Sequence, residues 1–160
     1  MKYQWMIILT LFSFTALAEI YAEYPTKPDS SLTPGSLCRD PDSYRYPEKI
    51  PYCERDHLSS DTKNLVIENY RRRGYRIDPK KRSAFKVDHL IPLCAGGSNN
   101  MNNLWPQHKK VFEITDPIEP LGCKKLAEGR ISQRDLVNII IAVKKSPSRS
   151  QETMAYLRSL

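Results

Sequence analysis

Residues 87–107 contain Val87-Asp88-His89-Leu90-Ile91-Pro92-Leu93, then Gly96-Gly97-Ser98-Asn99, then Asn103-Leu104-Trp105-Pro106-Gln107. The first run is apolar apart from one carboxylate beside one imidazole, and it predicts a strand over 85–91. The two glycines open a loop over 94–103, and a second short strand is expected near Leu104. A helix should begin after Pro106 and reach about Thr115, because Pro117 and Pro120 break helical structure beyond it. The residue types suit metal-assisted hydrolysis of a phosphodiester, which needs a base, a divalent cation and a rigid frame. His89 fits the base, since an imidazole with an ordinary pKa near 6.5 is neutral at working pH. Asp88 offers a hard oxygen to Mg²⁺ or a similar ion. Asn103, fourteen residues after His89, cannot titrate, but its amide can fix a backbone carbonyl or the imidazole. Strand alternation complicates this layout: Phe85, Val87, His89 and Ile91 share one parity, so a regular strand sends Asp88 to the other face. Either the strand bulges there, or Asp88 acts from behind.

The pattern Asp-His-Leu-Ile-Pro-Leu, two glycines and Asn-Leu-Trp-Pro-Gln resembles the HNH nucleases. That resemblance is best over 85–115 and looser from Thr33 onward, where the chain looks like secreted or phage-borne members. It implies a ββα-metal hairpin, two strands and a helix clamped around one divalent cation. It also implies that His89 is the general base, that Asn103 orients the loop and that Asp88 is a metal ligand. The family's last position, a helical His or Asn, falls near Val111-Phe112-Glu113, where this chain departs from the pattern. Glu113 is the nearest ligand there, with His108 its rival. Trp105, flanked by Leu104 and Pro106, reads as core packing beneath the site.

Working outward, residues 1–18 have a charged start, an apolar segment and an Ala16-Leu17-Ala18 end, the signature of a secretory signal peptide. Its apolar part falls short of the roughly 20 residues that a membrane span needs. No cysteine follows it before Cys38 and no second hydrophobic run exists, so the mature chain is expected secreted or periplasmic. Residues 19–32 read as a flexible segment and 33–160 as one nuclease domain. The chain is basic, with formal net charge +7, in keeping with a nucleic-acid partner. Arg71-Arg72-Arg73, Lys80-Lys81-Arg82, Lys109-Lys110 and Lys124-Lys125 are the basic clusters. Lys109 and Lys110 adjoin the motif and read as phosphate contacts. Arg55, in the polar run after Cys53, could clamp a phosphate in bidentate fashion, while His57 reads as a surface residue.

Four cysteines in an exported chain suggest two disulfides, and the lack of any Cys-x-x-Cys argues against zinc. Of the three possible pairings, Cys38–Cys53 with Cys94–Cys123 is preferred. Ser59 or Ser60 caps a helix through Leu65, Val66, Ile67 and Tyr70 that ends at Gly74. Ser132 opens another, whose Leu136, Ile139, Ile140 and Val143 form one apolar face. A last short helix is expected over 151–158. Asp116 and Glu119 either complete a metal shell or cap and break a helix, the structural reading standing first. The whole reads as a small α+β domain around the ββα-metal hairpin, a monomer. The expected function is an exported, Mg²⁺-dependent endonuclease (Mn²⁺ as a substitute) cleaving DNA or RNA with little sequence specificity. Two alternatives stand beside it: a non-catalytic, disulfide-stapled polyanion binder, and a nuclease effector held in check by an immunity protein.

Overall fold

The computed structural model describes residues 24–53 and 58–160. The signal-peptide reading of 1–18 lies outside the described residues. Among the described residues, regular structure begins with an antiparallel hairpin of β1 (Ser43–Arg45) and β2 (Ile50–Tyr52), turned by Tyr46 and Lys49 with positive φ. Helix α1 (Ser60–Arg72) starts where the Ser59 hydroxyl accepts the Thr62 N–H, and Arg71 and Arg72 sit at its negative end. A 3₁₀ segment, Pro79–Ala84, leads into β3 (Phe85–His89), which pairs antiparallel with β4 (Leu104–His108). Helix α2 (Lys109–Thr115) follows β4 without a break, so strand, strand and helix come in the order the motif implies.

Three more helices complete the domain: α3 (Ile118–Ala127), α4 (Gln133–Lys145) and α5 (Ser150–Ser159). The expected strand over 85–91 ends at His89, because Leu90 and Ile91 turn toward the 3₁₀ turn Leu93–Ala95. Helix α3 corrects the sequence reading, in which Pro117 and Pro120 ended helical structure. Pro117 is the N-cap and Pro120 the third residue of the helix, positions whose missing N–H has no partner inside a helix anyway. The described part of the segment expected to be flexible lies against α1: the Asp29 N–H donates to the Tyr70 hydroxyl, and Pro25 and Pro28 are buried.

Two apolar clusters flank the hairpin. One joins Ile91 to Ile118, Leu126, Leu136, Ile140, Val143 and Leu157; the other joins Ile67 and Tyr70 of α1 to Phe85, Trp105 and Val111. Each fully buried Leu or Ile contributes about 1.5–3 kcal/mol. Trp105 is fully buried, as its place between Leu104 and Pro106 suggested. The disulfides are Cys38–Cys53 and Cys94–Cys123, closing separations of 15 and 29 residues, each worth about 3–4 kcal/mol on a chain-entropy basis. The second ties the loop after β3 to α3. Among the described residues no helix is long and apolar enough to cross a membrane.

Gly97 allows that loop to close. Residue 97 pairs with Leu37 in an isolated β-bridge, and a Cβ there would overlap the Ile91 carbonyl, lying 2.6 Å from its carbon and 3.0 Å from Asn103 Nδ2. Neither neighbour is free to yield. Gly97→Ala should therefore cost about 3 kcal/mol or more in urea unfolding. Gly129→Ala, with φ +67° and nothing within 4 Å of the added methyl, should cost only about 1–2 kcal/mol. Equal losses at the two positions would show that the loop adapts.

Candidate active site

The hairpin register runs without a bulge through Phe85↔His108, Lys86↔Gln107, Val87↔Pro106, Asp88↔Trp105 and His89↔Leu104. Neighbouring side chains therefore point to opposite faces, and Asp88 and His89 meet different surroundings.

On one face, His89 Nε2 lies 2.7 Å from Asn99 Oδ1, and Asn99 Nδ2 donates to the Cys53 carbonyl at 2.9 Å. An amide oxygen can only accept, so Nε2 carries the proton. The neutral ring then has its basic lone pair on Nδ1. Burial holds the imidazole below its ordinary pKa, against the opposing pull of the Asn99 bond and the Asp88 charge. At neutral pH the ring is the free base.

Asn103 is fully buried and spends its amide on the loop. It accepts the Ile91 N–H at 2.9 Å and donates to the Ile91 carbonyl at 2.9 Å and the Ser98 carbonyl at 2.8 Å. Its own carbonyl accepts the Leu90 N–H at 2.7 Å. Of the two tasks open to it in the sequence, it performs the backbone one. Asn99, which follows the Gly-Gly pair and carried no signal of a role in the sequence, restrains the ring.

On the other face, Asp88 meets Lys144 of α4. The Lys144 side chain is 1% exposed; its Nζ donates to Asp88 Oδ2 at 2.8 Å, to the His89 carbonyl, and pairs with Glu119. Lys86 Nζ lies 3.4 Å from Asp88 and donates to both Asp116 oxygens at 2.7 Å. Charges thus alternate along Asp116, Lys86, Asp88, Lys144 and Glu119. Burial alone would push the Asp88 carboxyl up, but Lys144 and Lys86 outweigh it and hold the group below the carboxylate range. Burial pushes Glu119 up, and Lys144 does not fully offset this. Burial would lower Lys144, but the two carboxylates more than reverse that. The ammonium is charged. Sequence reading missed Lys144, although it continues the buried Leu136, Ile140 and Val143 stripe by one step, where a solvent-facing lysine has no place.

The remaining candidates do not gather at His89. Glu113 is exposed on α2 and pairs with Lys109 at 3.6 Å. His108 caps α2 by accepting the Lys110 N–H at 3.2 Å and stacks on Tyr24 at 3.7 Å. It stands four strand pairs from His89, about 13 Å. Lys109 and Lys110 are exposed at the start of α2. Arg55 and His57 lie outside the described residues. Among the described residues no three His, Cys, Asp or Glu side chains come together as a cation site. These donors do not fit a divalent ion as they stand: Asp88 would accept one only in competition with two ammonium groups. No protein-family model, curated protein or solved structure matches the chain.

Two measurements probe this geometry. Replacing Lys144 by Ala takes from Glu119 its partner and leaves Asp88 with Lys86 alone, both carboxylates being largely buried, and should cost roughly 3–5 kcal/mol in urea unfolding; a loss below about 1 kcal/mol would mean that water takes over the ammonium's role. For His89, a depressed folded-state pKa means the unfolded chain binds protons first. Stability should thus be flat above pH about 6.5 and fall as pH drops through that value. Nitrogen-15 spectra of the histidines should show His89 titrating below about 6.5, with Nε2 protonated in the neutral form. A midpoint above that value would mean that burial does not govern the ring.

Proposed function

We propose that this chain is an exported phosphodiesterase of the HNH type, acting on DNA or RNA with little sequence specificity. The observation that supports it best is the His89 imidazole, kept neutral by burial and clamped through Nε2 by Asn99, with Nδ1 left as base. In this reading Nδ1 takes a proton from water, whose oxygen bonds to phosphorus. The P–O3′ bond breaks and the leaving oxygen takes a proton from solvent. Asn103 keeps the loop that carries Asn99 in register. The resemblance implies Mg²⁺, which would stabilise charge on the phosphate, but the donors around Asp88, already paired with Lys86 and Lys144, do not fit it as they stand. Residues 33–160 form the nuclease domain in this reading, and the two disulfides agree with export to the periplasm or medium.

A second reading has an observation in its favour. Asp88, the residue at the ligand position of the motif, is already bonded to Lys144. A scaffold so neutralised would suit a protein that grips polyanions without cleaving them.

Cleavage of supercoiled plasmid by the oxidised protein, with Mg²⁺, with Mn²⁺ and with EDTA, separates the two. Nicking that His89→Ala lowers by about 10²-fold or more is the expected result, and its loss in EDTA would establish the cation. A folded protein that shifts DNA on a gel yet cleaves under no condition would replace the enzyme with the binder.

A further inference from the structure

A cleft of about 800 Å³ opens at the end of the hairpin remote from His89, between α1, the 3₁₀ segment and the start of α2. Five cations line it: Arg71, Arg72, Arg76, Lys81 and Lys110, against two carboxylates, Glu68 and Asp78. Glu68 is shared by two arginines, at 3.2 Å from Arg71 and 3.3 Å from Arg72. Such exposed pairs are weak and exchange readily for another anion. Asp78 caps the 3₁₀ segment, its carboxylate accepting the Lys80 N–H at 2.9 Å. Arg76, Lys81 and Lys110 are exposed, and no ion pair engages them among the described residues. Between the cations stand the half-buried rings of Tyr75 and of Tyr24, one face of which is stacked on His108.

We propose that this cleft is a docking groove for a single strand of nucleic acid. Cations spaced along a groove follow a phosphate backbone, and aromatic rings among them offer unpaired bases a surface on which to stack. Phe85 at the floor has the same strand parity as His89, so cleft and imidazole share a face of the hairpin. Four residues of strand separate them, about 13 Å, or roughly four nucleotides at duplex spacing. A strand held in the cleft can thus run on to Nδ1 of His89. The class of occupant rests on the nuclease reading; the cleft and its charges do not.

Fluorescence anisotropy of a labelled single strand of about 20 nucleotides, in EDTA so that cleavage cannot intrude, tests the groove. Arg72→Glu/Arg76→Glu/Lys81→Glu should weaken binding at least tenfold and lower the salt slope by about 2. Reversing three exposed cations elsewhere, Arg130, Arg134 and Arg158, should change affinity less than threefold. The milder Arg76→Gln/Lys81→Gln, checked for native circular dichroism, should fall between wild type and the triple reversal. Equal losses from the two triple variants would overturn the groove, and equal affinity for the matching duplex would overturn its single-strand preference. If groove-dependent binding persists but no plasmid is nicked, the nuclease reading falls alone. If nicking depends on His89 but binding ignores the cleft, the groove falls alone.

Discussion

One ammonium group ties the candidate site to the helical half of the domain. Lys144 reaches from the last turn of α4 to Asp88 and the His89 carbonyl on β3, and to Glu119 on α3. Taking a lysine head group out of water costs several kcal/mol, and only a near-complete set of partners offsets that. Two carboxylates and a carbonyl supply the set. The positions of α3 and α4 relative to the hairpin are therefore restricted: a shift of either would leave charge buried without a partner. Apolar packing of Leu136, Ile140 and Val143 gives α4 its affinity for the core, but packing alone tolerates sliding better than a three-way polar contact does.

The loop after β3 obeys a different constraint. Gly96, in the left-handed region, ends the turn Leu93–Ala95, and Gly97 comes so near the Ile91 carbonyl that no side chain fits. Asn103 then bridges Ile91 and Ser98 with three hydrogen bonds in a fully buried place, where an unmade bond costs about 1–3 kcal/mol. The Cys94–Cys123 bridge holds the same loop to α3 from outside. Asn99 inherits its position from these contacts.

Local signals in the chain are explicit where a single residue type has one structural use. Ser59 and Ser132 cap the helices they were expected to cap, and Leu136, Ile140 and Val143 of the expected apolar face are buried, while Ile139 is half-buried. The two disulfides follow the preferred pairing. Legibility fails where partners come from distant segments. Pro117 and Pro120 read as breakers because their effect depends on whether they fall in a first turn, which is settled by where α3 begins. Lys144 sits in a basic Lys-Lys pair like others in the chain, and only the phase of the helix distinguishes it from Lys145, which is exposed. Asn99 and Asn103 carry the same amide, and the loop's path decides which one meets the ring. The basic clusters divide in the same way: Arg71, Arg72 and Lys81 reach a shared cleft with Arg76, whereas Arg73 turns to Asp29 at 3.6 Å.

Adjacency of Asp88 and His89 in sequence invites the idea of a joint task, yet a regular strand forbids their side chains to meet on one face. Their coupling passes through the backbone. Lys144 binds the Asp88 carboxylate and the His89 carbonyl from behind the strand, while Asn99 restrains the imidazole from in front. The ring is thereby fixed at both ends, its main chain by an ion-pair network and its Nε2 by an amide. In the proposed reading such restraint suits a base, since small errors of placement erode proton transfer steeply. The charge of Asp88 still reaches the ring at short range and favours the imidazolium that forms when Nδ1 takes a proton. A carboxylate on the far side of the strand can thus act on the charge of the imidazole without touching it.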